Sequence, residues 1–163
     1  MVNKEVLKLK GFPETILRTK WDEAHLQSAA KVQRLAIELH EGECACFTFN
    51  DGGVLIDRVL DDESFTVKDM LAINFVEYFA DTLADRYKPV ESKFLYIFGI
   101  GEELANSTTF ADKVLSNLIK YNIQKGNSIV VNSDTQMASI FSRNYPLSSA
   151  LLETKTQIMR TKG

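Results

Sequence analysis

The sequence predicts an α/β fold: a mixed β-sheet with helices packed on it, preceded by an N-terminal extension. Three observations carry that expectation. "KFLYIFGI" (93–100) and "SIVV" (128–131) are short, strongly apolar runs of the kind that form strands buried on both faces. Segments of helical period flank and separate them. Before both comes "CACFTFNDGGVLIDRVL" (44–60), two aromatic or β-branched runs around Asn50-Asp51-Gly52-Gly53, which predicts a β-hairpin.

The remaining elements follow in chain order. "KEVLKLK" (4–10) alternates at period two and suggests a short strand. Asp22 is placed to cap a helix over "EAHLQSAAKVQRLAIEL" (23–39), helical at least as far as Lys31, with Trp21 as a hydrophobic staple or a partner anchor. After the hairpin, Thr66 with Asp69 three residues on forms a capping-box pattern. Met70, Leu71, Phe75, Phe79 and Leu83 then predict one long helix over 66–87, stopped before Pro89. A second helix is expected from about Thr108 to Gln124, burying Phe110, Ala111, Val114, Leu115 and Leu118, with Gly126 at its C-terminal cap. Ser133 and Gln136 repeat the capping-box pattern ahead of "TQMASIFSR", Pro146 ends that helix, and "SSALLETKTQIM" (148–159) predicts a last one. The alternation of strand and helix in the second half implies right-handed crossovers and parallel pairing there.

At 163 residues the chain suits a single domain, with residues 1–40 as the extension and 44–155 as the α/β core. Hydrophobic residues at 45% and charged residues at 25% fit an ordinary globular protein. The net charge of −3, with Lys and Arg scattered among acids, gives no reason to expect nucleic acid as a partner. No apolar run is long enough for a membrane span, so no membrane insertion is expected. The start has no secretory h-region and the only cysteines are Cys44 and Cys46, so a cytoplasmic location is expected.

The candidate site lies where strands leave the sheet. "GIGEELANSTTFADKVL" (99–115) crosses from a buried strand to a helix through Asn106, Ser107, Thr108 and Thr109. "VVNSDTQM" (130–137) does the same through Asn132, Ser133 and Asp134. Ligands and regulatory groups collect at such carboxyl ends, and a helix N-terminus favours an anion or an added phosphate. Plain helix capping explains the same residue types, because their side chains satisfy orphan N–H donors. "GIG" lacks the third glycine of a dinucleotide fingerprint and the Gly-Lys-Ser/Thr of a P-loop.

The order of hairpin, long helix, "KFLYIFGI", "NSTTFADKVLSNL" and "SIVVNSDTQMASIFSRNYP" resembles the STAS/SpoIIAA-like family over roughly residues 44–155. That resemblance implies a small domain that binds protein partners, in one branch an anti-sigma-factor antagonist switched by serine phosphorylation. Ser107, then Thr108, is the nearest match to the regulatory serine. "ANSTTF" departs from the family's Asp-Ser-Ser-Gly-like context, having neither the adjacent Asp nor the Gly.

Other constellations carry less. Cys44, Cys46 and His40 fall short of the ligand set and spacing of a zinc site, so no metal and no cofactor are expected. His25 and His40 accompany no nucleophile-elbow pattern, so no catalytic residue is assigned. Asp61, Asp62 and Glu63 suit a solvated turn ahead of a helix. The first expectation is therefore a non-catalytic regulatory module that contacts another protein, with a homodimer as an option through an open sheet edge. A second is a small-molecule or lipid-binding domain, or an enzyme, with a pocket between helix 66–87 and the sheet, lined by Phe75, Phe79, Phe94, Tyr96 and Phe98. A third is an inhibitor or immunity protein.

Overall fold

The computed structural model describes residues 4–17, 45–49, 55–56, 59–60, 65–83, 90–100, 108–133, 141–155 and 158–160. Five strands form one sheet: β1 (Ala45–Phe49), β2 (Met70–Asn74), β3 (Phe94–Phe98), β4 (Ser128–Ser133) and β5 (Ile158–Arg160), in the order β2-β3-β4-β1-β5. The helices are α1 (Lys4–Leu9), α2 (Glu14–Leu17), α3 (Phe75–Leu83), α4 (Thr108–Gln124) and α5 (Pro146–Lys155), with residues 141–144 also helical.

The α/β class stands, but among the described residues the sheet is not mixed. Each of its four pairings is parallel. The expected hairpin does not form, because residues 55–56 and 59–60 are helical and β1 pairs instead with β4 and β5. "VLIDRVL" places Leu55, Ile56, Val59 and Leu60 at helical spacing, and all four are buried.

Two-sided burial explains the other departure in the first half. Met70–Asn74 is a strand, and only Phe75–Leu83 of the expected helix 66–87 is α-helical among the described residues. Met70 and Ala72 pack on one face of the sheet, while Leu71 and Ile73 pack on the other. A strand covered on both faces is a continuous apolar run, which periodicity does not separate from a helix. The Thr66–Asp69 box does form, with the Thr66 N–H donating to Asp69 Oδ2 at 3.2 Å, yet it heads only the single 3-10 turn Val67–Asp69.

The topology sorts the core into two layers. Chain movement from β2 to β3 to β4 to β5 always runs in one direction, and its crossovers lie on one face. There Phe75 and Phe79 of α3, Leu115 and Leu118 of α4, and Leu152 of α5 pack on Leu95, Ile97, Ile129 and Val131. The crossover from β1 to β2 runs the opposite way and must cover the other face. On that face Leu55, Ile56, Val59 and Leu60 join Leu7, Phe12 and Leu17 against Phe94, Tyr96 and Val130. The aromatic residues expected to line one pocket are thus split: Phe75 and Phe79 lie on one face, Phe94 and Tyr96 on the other. They fill the core rather than surround a shared cavity.

Two further corrections concern the ends of the chain. "KEVLKL" is helix α1, not a strand; of its apolar residues only Leu7 is buried, whereas Leu9 is 88% exposed. The helical residues 141–144 end before Pro146 as expected, and Pro146 also opens α5, where its fixed φ and missing N–H suit the first turn. "SSALLETKTQIM" is not one helix, because α5 ends at Lys155 and Ile158–Arg160 joins β1 as an edge strand.

Helix α4 has the expected bounds, and Gly126 follows it at φ +78°, a conformation glycine adopts without cost. Two buried polar residues pin this layer. Asn122 donates through Nδ2 to the Val90 and Leu118 carbonyls and accepts from Asn127. Asp112, 2% exposed, accepts from the backbone N–H groups of Leu147 and Ser148, both at 2.9 Å, and from Ser148 Oγ at 2.8 Å. A carboxylate on one helix therefore supplies the N-terminal cap of another.

The expected helix 23–39, the Ser133–Gln136 capping box beyond Ser133, and Trp21, His25, His40, Cys44 and Asp61–Glu63 lie outside the described residues. No described helix is long and apolar enough to cross a membrane.

Candidate functional site at the carboxyl edge of the sheet

Because every pairing is parallel, all five strands leave the sheet along one edge. The register fixes which exits are neighbours. Asn74 at the end of β2 pairs with Phe98 of β3; Ile97 of β3 pairs with Val131 of β4; Thr48 and Phe49 of β1 pair with Asn132 and Ser133 of β4.

Of the seven residues expected to form the site, four are described. Asn132 and Ser133 are the last two residues of β4, and the Asn132 side chain is 7% exposed. Thr108 and Thr109 open α4, with Thr109 exposed to solvent. Their elements converge on one edge, since β3 feeds α4 and β3 neighbours β4. Asn106, Ser107 and Asp134 lie outside the described residues.

Phe110 differs from its expected place in the core. It is 44% exposed, with its ring centroid 5.7 Å from that of Phe79. The carboxyl edge therefore carries an aromatic side chain beside the exposed Thr109.

The strand order adds a feature not anticipated from sequence. β1 and β4 lie side by side, yet β1 sends its chain toward β2 and β4 sends its chain toward β5, in opposite directions. The two chains therefore cross to opposite faces of the sheet, which is the topological switch point at which open α/β sheets hold ligands. Thr48, Phe49, Asn132 and Ser133 bound it by register. The sequence that follows β1 reads "NDGGVLID", and residues 55–56 within it are helical.

Asn74 was also missed. Its Oδ1 accepts from the Val76 N–H at 2.9 Å and caps α3. The signal was present as Asn74 with Glu77 three residues on, hidden inside what read as a helix interior.

A cleft of about 390 Å3 lies at the outer end of β2, lined among others by Asn74, Glu77, Tyr78, Asp81 and Phe98. The charged side chains on its wall are the carboxylates of Glu77 and Asp81, which oppose an anion. Among the described residues no three His, Cys, Asp or Glu side chains converge to hold a metal ion. No family model, curated protein or solved structure matches the chain.

Proposed function

We propose that this protein is a non-catalytic regulatory module that contacts another protein through the carboxyl edge of a doubly wound parallel sheet. The observation that carries the proposal is that β1 and β4, paired side by side, send their chains to opposite faces of the sheet, together with the sequence that follows β1. A strand, a loop and a helix at a switch point is the setting of a phosphate-gripping P-loop, whose lysine and hydroxyl residue act on the phosphates and their Mg2+. "NDGGVLID" keeps two glycines but has no Gly-Lys-Ser/Thr, so the scaffold stands without that catalytic device. The exposed ring of Phe110 beside Thr109 gives the same edge an apolar contact, as aromatic side chains do at protein interfaces.

Two measurements test the proposal. Incubation with magnesium and each common nucleoside triphosphate should release phosphate no faster than buffer alone. A protein that copurifies stoichiometrically from the source cells should be lost with Phe110→Asp and kept with Lys125→Glu, at the opposite edge. Sustained turnover, or equal binding by both variants, would contradict the proposal.

A second reading is favoured by the exposure of Thr109 in the first turn of α4. A phosphate there would gain from the helix dipole and bring nearly two negative charges to the edge. The STAS/SpoIIAA-like resemblance over roughly residues 44–155 points the same way, although its hairpin does not form. Intact-mass analysis of protein from its own cells, with peptide mapping over residues 94–120, should find the phosphate on Ser107, Thr108 or Thr109. An unmodified mass under several growth conditions leaves these residues as helix caps.

A further inference from the structure

The two outer strands of the sheet are guarded in different ways. β5 is three residues long and ends in Arg160; shortness and charge are both devices that discourage strand addition. β2 is five residues long and reads Met-Leu-Ala-Ile-Asn, with no charge and no proline. An uncharged apolar edge of this kind is a template for another strand.

What covers β2 among the described residues is the N-terminal segment 4–17. The Ala72 N–H donates to the Lys10 carbonyl at 2.9 Å. Gly11, at φ +95°, lies so close that a Cβ there would sit 2.3 Å from the Ala72 carbonyl oxygen. Both main-chain groups of Ala72 thus face outward from the sheet, and by strand alternation those of Met70 and Asn74 do too. The Met70 N–H is closed locally by the Val67 carbonyl. Leu7, Phe12 and Leu17 hold the segment down as buried anchors, and the Phe12 and Tyr96 ring centroids are 5.5 Å apart. The segment is a hook: two short helices joined at a glycine turn, with that turn pressed on the middle residue of the edge strand.

We propose that the outer edge of β2 is a self-association surface for a second copy of this chain, held closed in cis by the N-terminal hook. Release of the hook uncovers the outward donor and acceptor of Ala72 together. The β2 strand of a second molecule presents the same uncharged edge, so two copies pair about a two-fold axis.

The test uses the full-length protein. By sedimentation velocity, the wild type should remain one chain across a hundredfold range of concentration. Gly11→Ala is incompatible with the hook's contact, and should shift toward twice that mass as concentration rises while keeping its circular dichroism spectrum. Adding Ala72→Pro, which removes the outward N–H from an edge strand where proline is tolerated, should return the Gly11→Ala protein to one chain. A folded, monomeric Gly11→Ala protein would overturn the proposal, as would association that persists with Ala72→Pro. Should Gly11→Ala fail to fold, amide exchange of the wild type decides. The Ala72 amide should exchange at least tenfold faster than that of Tyr96 in mild denaturant; equal rates would mean the hook does not open alone, and would overturn the proposal.

Discussion

The two faces of the sheet are covered by different means. On one face, α3, α4 and α5 lay long apolar surfaces on the strands, and the buried groups of Asp112 and Asn122 tie α4 to α5 and to Val90. On the other, the hook and residues 55–56 and 59–60 cover the strands with short pieces, fixed among the described residues by a few large side chains and the main-chain contacts of Lys10 and Gly11 with Ala72. A layer of long, cross-tied helices opens as one unit, whereas a short hook has few contacts to lose before it opens by itself. The contrast teaches where stability is shared and where it is local.

Deleting apolar volume on each face tests that contrast with the largest effects. Leu115→Ala, in the helical layer, should lower global stability by about 2–5 kcal/mol in urea unfolding. Leu7→Ala, at an equally buried site in the hook, should cost less and should raise the exchange of the Ala72 amide selectively. Equal losses from the two substitutions would make the faces a single cooperative unit.

Asp112→Ala should follow, with a loss on the order of 3 kcal/mol, because it strands three donors at the buried start of α5. Asp112→Asn keeps one acceptor oxygen and should lose less. Gly11→Ala should cost about 1–3 kcal/mol from the left-handed backbone alone. A neutral result at either position would break the contrast between cross-tied helices and a hook fixed at one turn.

The smallest effect expected is a pH dependence at Asp69, which lies beneath neither layer. Burial alone would raise its carboxyl, but donations from the Thr66 N–H and hydroxyl and the charge of Lys93 outweigh burial and hold it below its usual 3.8. A carboxyl with a depressed folded value stabilises the protein above the unfolded value and loses that contribution as pH falls below about 3.8. The loss should stay under about 1 kcal/mol for so open a pair. Asp69→Asn should flatten that part of the acid unfolding curve.

The same contrast governs what was legible in the sequence. β3, β4 and α4 are long or strongly apolar, and the parallel strands of the second half followed from their alternation. The N-terminal half misled because its signals are short. Met70–Asn74 is buried on both faces and so looked helical, and "NDGG" looked like a hairpin turn although the chain leaves β1 for a helix. The exits of β3 and β4 were legible as neighbours. The switch point was not, since only the pairing of β1 with β4 creates it. Phe110 kept a helical apolar spacing yet is exposed, in the first turn of α4.

The central claim is that the carboxyl edge is where the protein works. The direct measurement is photo-crosslinking in the source cells, with a photoreactive residue placed at Thr109 or Asn74 on that edge and at Lys125 or Asn127 on the opposite one. We expect one discrete protein adduct from the carboxyl-edge positions and none from the others. The same adduct from Lys125 or Asn127, with none from Thr109 or Asn74, would contradict the claim.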